Sequence, residues 1–168
     1  ICLSPGPGHP REAGCMMELI DKVLGKIPLF GICLGFQALL DHHGGIVEPC
    51  GPVHGKSVRM TLTKAGAKHP IFTGLAVDSE PDNPDYVGTQ VPVARYHSLG
   101  CKQIPTKMRA LATTATAIGD VVMAAETKDQ MAFGVQFHPE SVLSPTGPIM
   151  LERCIEYLSA KYIFGKAN

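Results

Sequence analysis

The sequence predicts an α/β fold, a mixed and mainly parallel sheet flanked by helices. Two observations carry that prediction. Through about residue 45, short apolar runs alternate with stretches of helical periodicity, the pattern of parallel strands joined by crossover helices. The middle of the chain then reads as five strands separated by turns, with little helix between them. Size sets the scale. The chain has 168 residues, 45% hydrophobic and 18% charged, enough apolar material for one domain with a sizeable core and too little charge for disorder.

Ile1-Cys2-Leu3 reads as the end of a buried strand with no Met and no signal peptide ahead of it, the pattern expected of a chain that has lost its N-terminal part. Ser4-Pro5-Gly6-Pro7-Gly8 follows as a loop, being too rich in Pro and Gly for anything else. A helix is expected from about Pro10, with Ala13, Met16, Met17, Ile20, Val23 and Leu24 on one face and Gly25 as its C-cap. Residues 27–32 form a strand-like apolar run, and a second helix begins at Cys33-Leu34-Gly35 and stops near His43, before Gly44-Gly45. The five later strands are expected at 58–62, 91–97, 109–114, 121–127 and 131–137. Between Gly74 and Gln90 lies an acidic, Pro-containing surface loop. A closing helix starts near Pro148, with Ile149, Leu151, Cys154, Ile155 and Leu158 at helical spacing, and 159–168 is expected to be a C-terminal tail to the single domain 1–168.

Fifteen basic residues balance fifteen acidic ones, so bulk charge supports neither a nucleic-acid nor an anionic-membrane partner. The longest apolar stretch, residues 27–40, is interrupted by Pro28, Gly31, Gly35 and Gln37 and does not read as a membrane span. The six cysteines are scattered without a C-x-x-C pair, which argues against a zinc ribbon or a thioredoxin-type site. Spread-out free thiols fit a reducing, cytoplasmic setting, and no metal site is expected in this chain.

The sharpest chemical signal is Gly31-Ile32-Cys33-Leu34-Gly35, a nucleophile at a strand-to-helix corner with glycine two residues to either side. A thiol there sits at a helix N-terminus, where the dipole favours thiolate, and the amide N–H of Leu34 is free to stabilise an oxyanion. The competing reading is a buried structural cysteine between tightly packed glycines. Gln37 lies one turn further on the same helical face, placed to hold an amide or amino-acid substrate. The second signal is Phe137-His138-Pro139-Glu140 after a strand. Pro139 keeps His138 extended, and alternation then sends His138 and Glu140 to the same side, a base with its orienting carboxylate. The remaining histidines show no comparable partner and are read as structural or solvated. The third signal is the loop Ser4 to Gly8, which a parallel sheet would place at its ligand-binding carboxyl edge; it lacks the pattern of a phosphate loop.

In this order and at these spacings the signals resemble the class I (triad-type) glutamine amidotransferases. The motifs that carry the resemblance are Pro-Gly-Pro-Gly, Gly-Ile-Cys-Leu-Gly-x-Gln, Tyr96-His97-Ser98-Leu99 and Gln136-Phe137-His138-Pro139-Glu140-Ser141, and it runs to about Leu158. Val53-His54-Gly55-Lys56 and the run from Pro92 to Leu99 look like the anthranilate synthase component II group, whose near relative is the glutaminase subunit of aminodeoxychorismate synthase. The resemblance implies a class I glutamine amidotransferase-like fold and a Cys33–His138–Glu140 triad. It implies an oxyanion hole from the amides of Gly6 and Leu34, and glutamine held by Gly6, Pro7, Gly8, Gln37, Ser98 and Leu99. It further implies ammonia passed to a chorismate-binding component I, no cofactor in this subunit, and Mg2+ on the partner alone. A non-catalytic, partner-binding fragment and a free-standing hydrolase of γ-glutamyl bonds are the readings from other classes. Three departures stand out: the family's first strand–helix–strand is absent, Phe36 occupies a position where His is common, and the loop 76–90 is long.

Overall fold

The computed structural model describes residues 1–80, 82, 83 and 85–165. Its strands are β1 (Cys2–Leu3), β2 (Leu29–Ile32), β3 (Glu48–Pro49), β4 (Lys56–Leu62), β5 (Gln90–Arg95), β6 (Leu99–Gly100), β7 (Met108–Thr116), β8 (Gly119–Thr127) and β9 (Ala132–Val135). Its helices are α1 (Met16–Val23), α2 (Leu34–His42), α3 (Lys64–Ala67) and α4 (Gly147–Gly165). Seven strands form one sheet in the order β1-β2-β9-β8-β7-β4-β5, while β3 and β6 make a small separate ribbon.

The α/β class and the mixed sheet match the expectation. Strands β1, β2 and β9 are adjacent and parallel. Every other neighbouring pair in the large sheet is antiparallel, yet β7 and β5 run in the same direction as the first three, so only β8 and β4 oppose the rest. Connection length explains the difference. The link from β7 to β8 is a tight turn at Ala117-Ile118, which permits only antiparallel pairing, whereas β1 and β2 are joined through α1.

Alternation along the two central strands sorts the core into layers. Phe30 and Ile32 of β2 and Phe133 and Val135 of β9 join Met150, Cys154 and Leu158 of α4 on one face. Leu29 and Ala132 face the other way, toward Ile20 of α1 and Ala38 and Leu39 of α2. Both strands are buried throughout, as a parallel core between two helical layers requires.

Three local expectations are corrected. The helix expected from Pro10 starts as a 3-10 turn, Pro10–Glu12, and α1 begins only at Met16. Gly14 between them has φ +58°, outside the right-handed helical region, so the apolar periodicity spans a break. The segment expected as a tail from residue 159 continues α4 through Gly165; residues 166–168 lie outside the described residues. The β3–β6 ribbon and α3 were not expected, being too short to show periodicity. The loop 76–90 is organised around Asp78, whose carboxylate accepts from the amides of Thr89 at 2.8 Å and Gln90 at 2.7 Å and from the Tyr86 hydroxyl at 2.9 Å.

Candidate active site

Because β1, β2 and β9 are adjacent and parallel, the segments leaving their carboxyl ends emerge at one edge of the sheet. Those segments are the loop from Ser4 to Gly8, the corner at Cys33 and the turn that begins at His138. They meet at a cleft of about 400 Å³ lined by Pro5, Gly6, Cys33, Tyr96, His138, Glu140 and Ser141. A groove of about 450 Å³ between β1 and α4 is similar in size but largely apolar, and no imidazole lines it.

Cys33 stands between β2 and α2 with φ 51° and ψ −102°. A side chain seldom adopts that conformation, and holding it there stores strain. The flanking glycines make it possible. A Cβ on Gly31 would come within 2.7 Å of the Gly35 carbonyl, and one on Gly35 would collide with the Leu3 backbone. Phe36, 0% exposed, lies over Gly134 of β9, where a Cβ would meet its ring. Thus α2 runs in direct contact with the two central strands, and the thiol projects from the corner into the cleft.

The expectation of a thiolate at the helix N-terminus is corrected. Burial pushes the Cys33 thiol up to about 11, and the charge of Glu140 adds to that effect. Hydrogen bonds from the Leu34 amide and the Gln136 side chain oppose it without overcoming it. Desolvation therefore outweighs the hydrogen bonds that the start of α2 and Gln136 offer the sulfur, which favours the protonated thiol.

His138 is braced on several sides. Its Nδ1 lies 2.6 Å from Glu140 Oε1. The Tyr96 ring meets the imidazole edge-on at 5.1 Å between centroids, and the Tyr96 hydroxyl lies 3.2 Å from Ser141 Oγ. The His138 amide donates to Ala94 O at 3.0 Å, and its carbonyl accepts from Ser144 Oγ at 2.7 Å. Ser144 Oγ in turn accepts from the Ala94 amide at 2.9 Å, so one buried hydroxyl ties the His138 turn to the end of β5. Nδ1–H donates to Glu140, and Nε2, the other ring nitrogen, is buried without a hydrogen-bond partner among the described residues. An Nδ1–H held by a carboxylate leaves Nε2 as the ring nitrogen that can exchange a proton with a group in the cleft.

The residues named from sequence separate into two groups. Cys33, His138, Glu140 and Gly6 line the cleft together, and the Leu34 amide faces the Cys33 sulfur. Pro7 and Gly8 are exposed on the same loop as Gly6, with Gly8 at φ +80°, but they do not line the cleft. Gln37 is 3% exposed, and its amide nitrogen donates to Leu99 O at 3.2 Å and to Gln136 Oε1 at 3.1 Å. The Leu99 carbonyl is therefore an internal acceptor, and the exposed Ser98 gives its carbonyl to the Cys50 amide at 2.8 Å.

Sequence reasoning quoted Gln136 and Tyr96 within motifs but gave them no role, and it missed Ser144. Gln136 stands two residues before His138, just past the end of β9, while the segment after His138 folds into a turn in which the Ser141 amide donates to His138 O at 3.2 Å. Ser144 and Tyr96 act across the fold and carry no local signal. The expectation that no other histidine has a comparable partner is corrected for His69 and His42, whereas buried His97 is structural as expected. His69 Nε2 lies 3.2 Å from buried Glu126, His42 lies 2.6 Å from Asp21, and His97 accepts from Arg95 at 3.0 Å.

Residues 1–157 match the family described as Glutamine amidotransferase class-I. The chain is 61% identical over 160 residues to a Corynebacterium glutamicum protein named Anthranilate synthase component 2, covering 95% of this chain and 77% of that protein. It is 38% identical to a Pseudomonas aeruginosa protein named Anthranilate synthase component 2, pyocyanine specific, over 95% of this chain and 70% of that one. Among solved structures, it is similar in fold to a protein from Thermoplasma acidophilum described as part of a GMP synthase. That match has a TM-score of 0.74 at 22% identity and covers 98% of this chain and 75% of the other. No described helix is long and apolar enough to cross a membrane. A family match over nearly the whole chain and relatives this close agree with the fold and with the cleft at its carboxyl edge: the chain belongs to the class I glutamine amidotransferases.

Proposed function

We propose that the chain is the glutaminase component of an anthranilate synthase, hydrolysing glutamine in the cleft at Cys33 and supplying ammonia to a chorismate-binding component I. The observation that carries the chemistry is the meeting in one cleft of a strained thiol with an imidazole whose Nδ1 is held by a carboxylate at 2.6 Å. The choice of acceptor rests on likeness to proteins named Anthranilate synthase component 2.

In this reading His138 Nε2 takes the Cys33 proton as the sulfur attacks the side-chain amide carbon of glutamine. A proton that leaves in concert with attack circumvents the high resting affinity of the thiol. The developing oxyanion is met by the backbone amides of Leu34 and Gly6. The C–N bond breaks, His138 returns the proton to the departing nitrogen, and ammonia leaves behind a γ-glutamyl thioester. Water, deprotonated by His138, attacks that thioester; glutamate departs and the thiol is restored. Glu140 holds the imidazole in the required tautomer and balances its positive charge between transfers. Gly6, Pro7, Gly8, Ser98 and Leu99 are proposed to hold the α-amino and α-carboxylate groups, and Gln37, whose amide nitrogen is committed to Leu99 O and Gln136, is proposed to support Leu99 from beneath. No cofactor is assigned to this chain, Mg2+ is assigned to component I, and the setting proposed is the cytoplasm.

The test combines labelling with reconstitution. A chloroketone analogue of glutamine is expected to modify Cys33 and abolish glutamine-dependent anthranilate formation by the complex with component I. Modification of Cys2 or Cys15 with Cys33 untouched would sink the site. Cys33→Ser is expected to retain ammonia-dependent synthesis, and loss of both activities would refute the division of labour between the two components.

A further inference from the structure

We propose that the side-chain amide of Gln136 is the hydrogen-bond donor that holds the ionised sulfur of Cys33, and that a buried chain of hydrogen bonds beginning at Arg95 dictates which end of that amide faces the sulfur. The proposal rests on Cys33 as the nucleophile.

The chain can be followed donor by donor. Arg95, 5% exposed, can only donate, and its Nε does so to His97 Nε2 at 3.0 Å. Because Nε2 accepts, His97 carries its proton on Nδ1, which lies 2.8 Å from Leu99 O. Burial and the neighbouring Arg95 charge push His97 down to about 4, so it stays neutral and keeps that tautomer near neutral pH. Leu99 O also accepts from Gln37 at 3.2 Å, which identifies that end of the Gln37 amide as nitrogen. The second N–H of the same nitrogen reaches Gln136 at 3.1 Å, so the Gln136 atom there is oxygen. Its own nitrogen is thereby turned to Cys33 Sγ, 3.7 Å away. Reversing the Gln136 amide would set two nitrogens against each other and a carbonyl oxygen against the sulfur. Gln136 is 0% exposed and Gln37 3%, so water is not at hand to relieve either conflict.

A donor at this position matters because the largest influence on the sulfur, burial, disfavours its charge. Burial and Glu140 both resist ionisation. The titratable groups sharing the cleft are Tyr96 from the segment after β5 and His138 and Glu140 from the segment after β9, while the loop after β1 contributes Pro5 and Gly6. Against these stand two donors, the Leu34 amide and Gln136. The Leu34 amide is also the proposed oxyanion donor, so Gln136 is the donor left to the sulfur alone.

The experiment follows carbamidomethylation of Cys33 by iodoacetamide in the whole chain against pH. Mass spectrometry of the Cys33 peptide separates it from the exposed Cys2 and Cys15. Gln136→Met, close in volume, is expected to move the ionisation of Cys33 upward by about one unit, read as about tenfold slower alkylation at neutral pH. Gln136→Glu, placing a carboxylate at the sulfur, is expected to move it further in the same direction. Superimposable profiles for wild type and Gln136→Met would overturn the proposal. In the unmutated protein, the Gln136 side-chain amide protons are expected to shift in NMR spectra when Cys33 ionises and when it is alkylated; no response would overturn the proposal even if neither variant folds. These measurements read the thiol alone. A protein that fails to hydrolyse glutamine yet shows the Gln136 shift refutes the glutaminase reading and leaves this one standing.

Discussion

A buried thiol that rests in its protonated form reacts only as fast as something removes its proton, so the imidazole opposite should dominate turnover. A positioned acid–base group contributes about 10²–10⁴-fold. His138→Ala is therefore expected to lower glutaminase kcat by about that factor, with little change in fold, because His138 is held through its backbone amide and carbonyl. Glu140→Gln should cost less. It keeps an oxygen that can accept from Nδ1, and the Tyr96 ring and the Ser144 clamp still brace the His138 turn. Steady-state rates at saturating glutamine compare the two; an equal or larger loss for Glu140→Gln would mean that the carboxylate does more than orient. The pair was legible in three consecutive residues, but the structure brings His138 and Glu140 together through a turn closed by the Ser141 amide on His138 O, not through the extended alternation expected. Gln136 stands in the same motif but received no role, since that role depends on Gln37 and Leu99, distant in sequence.

Elements position the nucleophile through close backbone approach, and the glycines at the two ends of α2 differ sharply in what a methyl group would meet. At Gly35 a Cβ would overlap the Leu3 backbone, so α2 would have to lift from β1. At Gly44, just past α2, φ is +90° but nothing lies within 4 Å. Gly35→Ala is expected to destabilise by about 3 kcal/mol or more and to displace Cys33, lowering activity as well. Gly44→Ala should cost only about 1 kcal/mol, from backbone strain, with activity retained. Urea unfolding together with glutaminase rates separates them; similar stability losses would refute steric contact as the reason for the motif. The Gly-x-Cys-x-Gly corner was visible because its signal fits within five residues. The break before α1 was hidden because apolar spacing on either side of Gly14 continues one periodic pattern.

Across the whole molecule, a buried carboxylate ties the two halves of the sheet to the last helix. Glu126 of β8, 1% exposed, accepts from His69 at 3.2 Å, from Tyr157 of α4 at 2.9 Å and from Arg109 of β7. Burial alone would raise its carboxyl, but these hydrogen bonds outweigh burial and hold it at about 2, below the ordinary 4.5. A carboxyl depressed in the folded state contributes stability above its unfolded value, and that contribution is lost as pH falls through the folded one. Wild-type stability is accordingly expected to decline between about pH 4.5 and 2 by on the order of 3 kcal/mol from this group. Glu126→Gln should be less stable at neutral pH and should lack that part of the slope, as denaturant titrations at several pH values would reveal. An unchanged slope would refute Glu126 as its source.

Periodicity and turn chemistry, which act over a few residues, determined the α/β class, the five later strands and the two corners bearing Cys33 and His138. They also placed the Pro-Gly loop at the edge where those corners emerge, because parallel strands joined by crossovers must present their carboxyl ends together. Tertiary structure alone decided which strands neighbour one another, and with that β1, β2 and β9 became the three that frame the cleft. It decided that β5, at the far end of the strand order, returns to hydrogen-bond the His138 turn through Ala94. It also decided the protonation of Cys33, since a helix dipole can be read from a local sequence, whereas desolvation depends on every chain segment that packs around the sulfur.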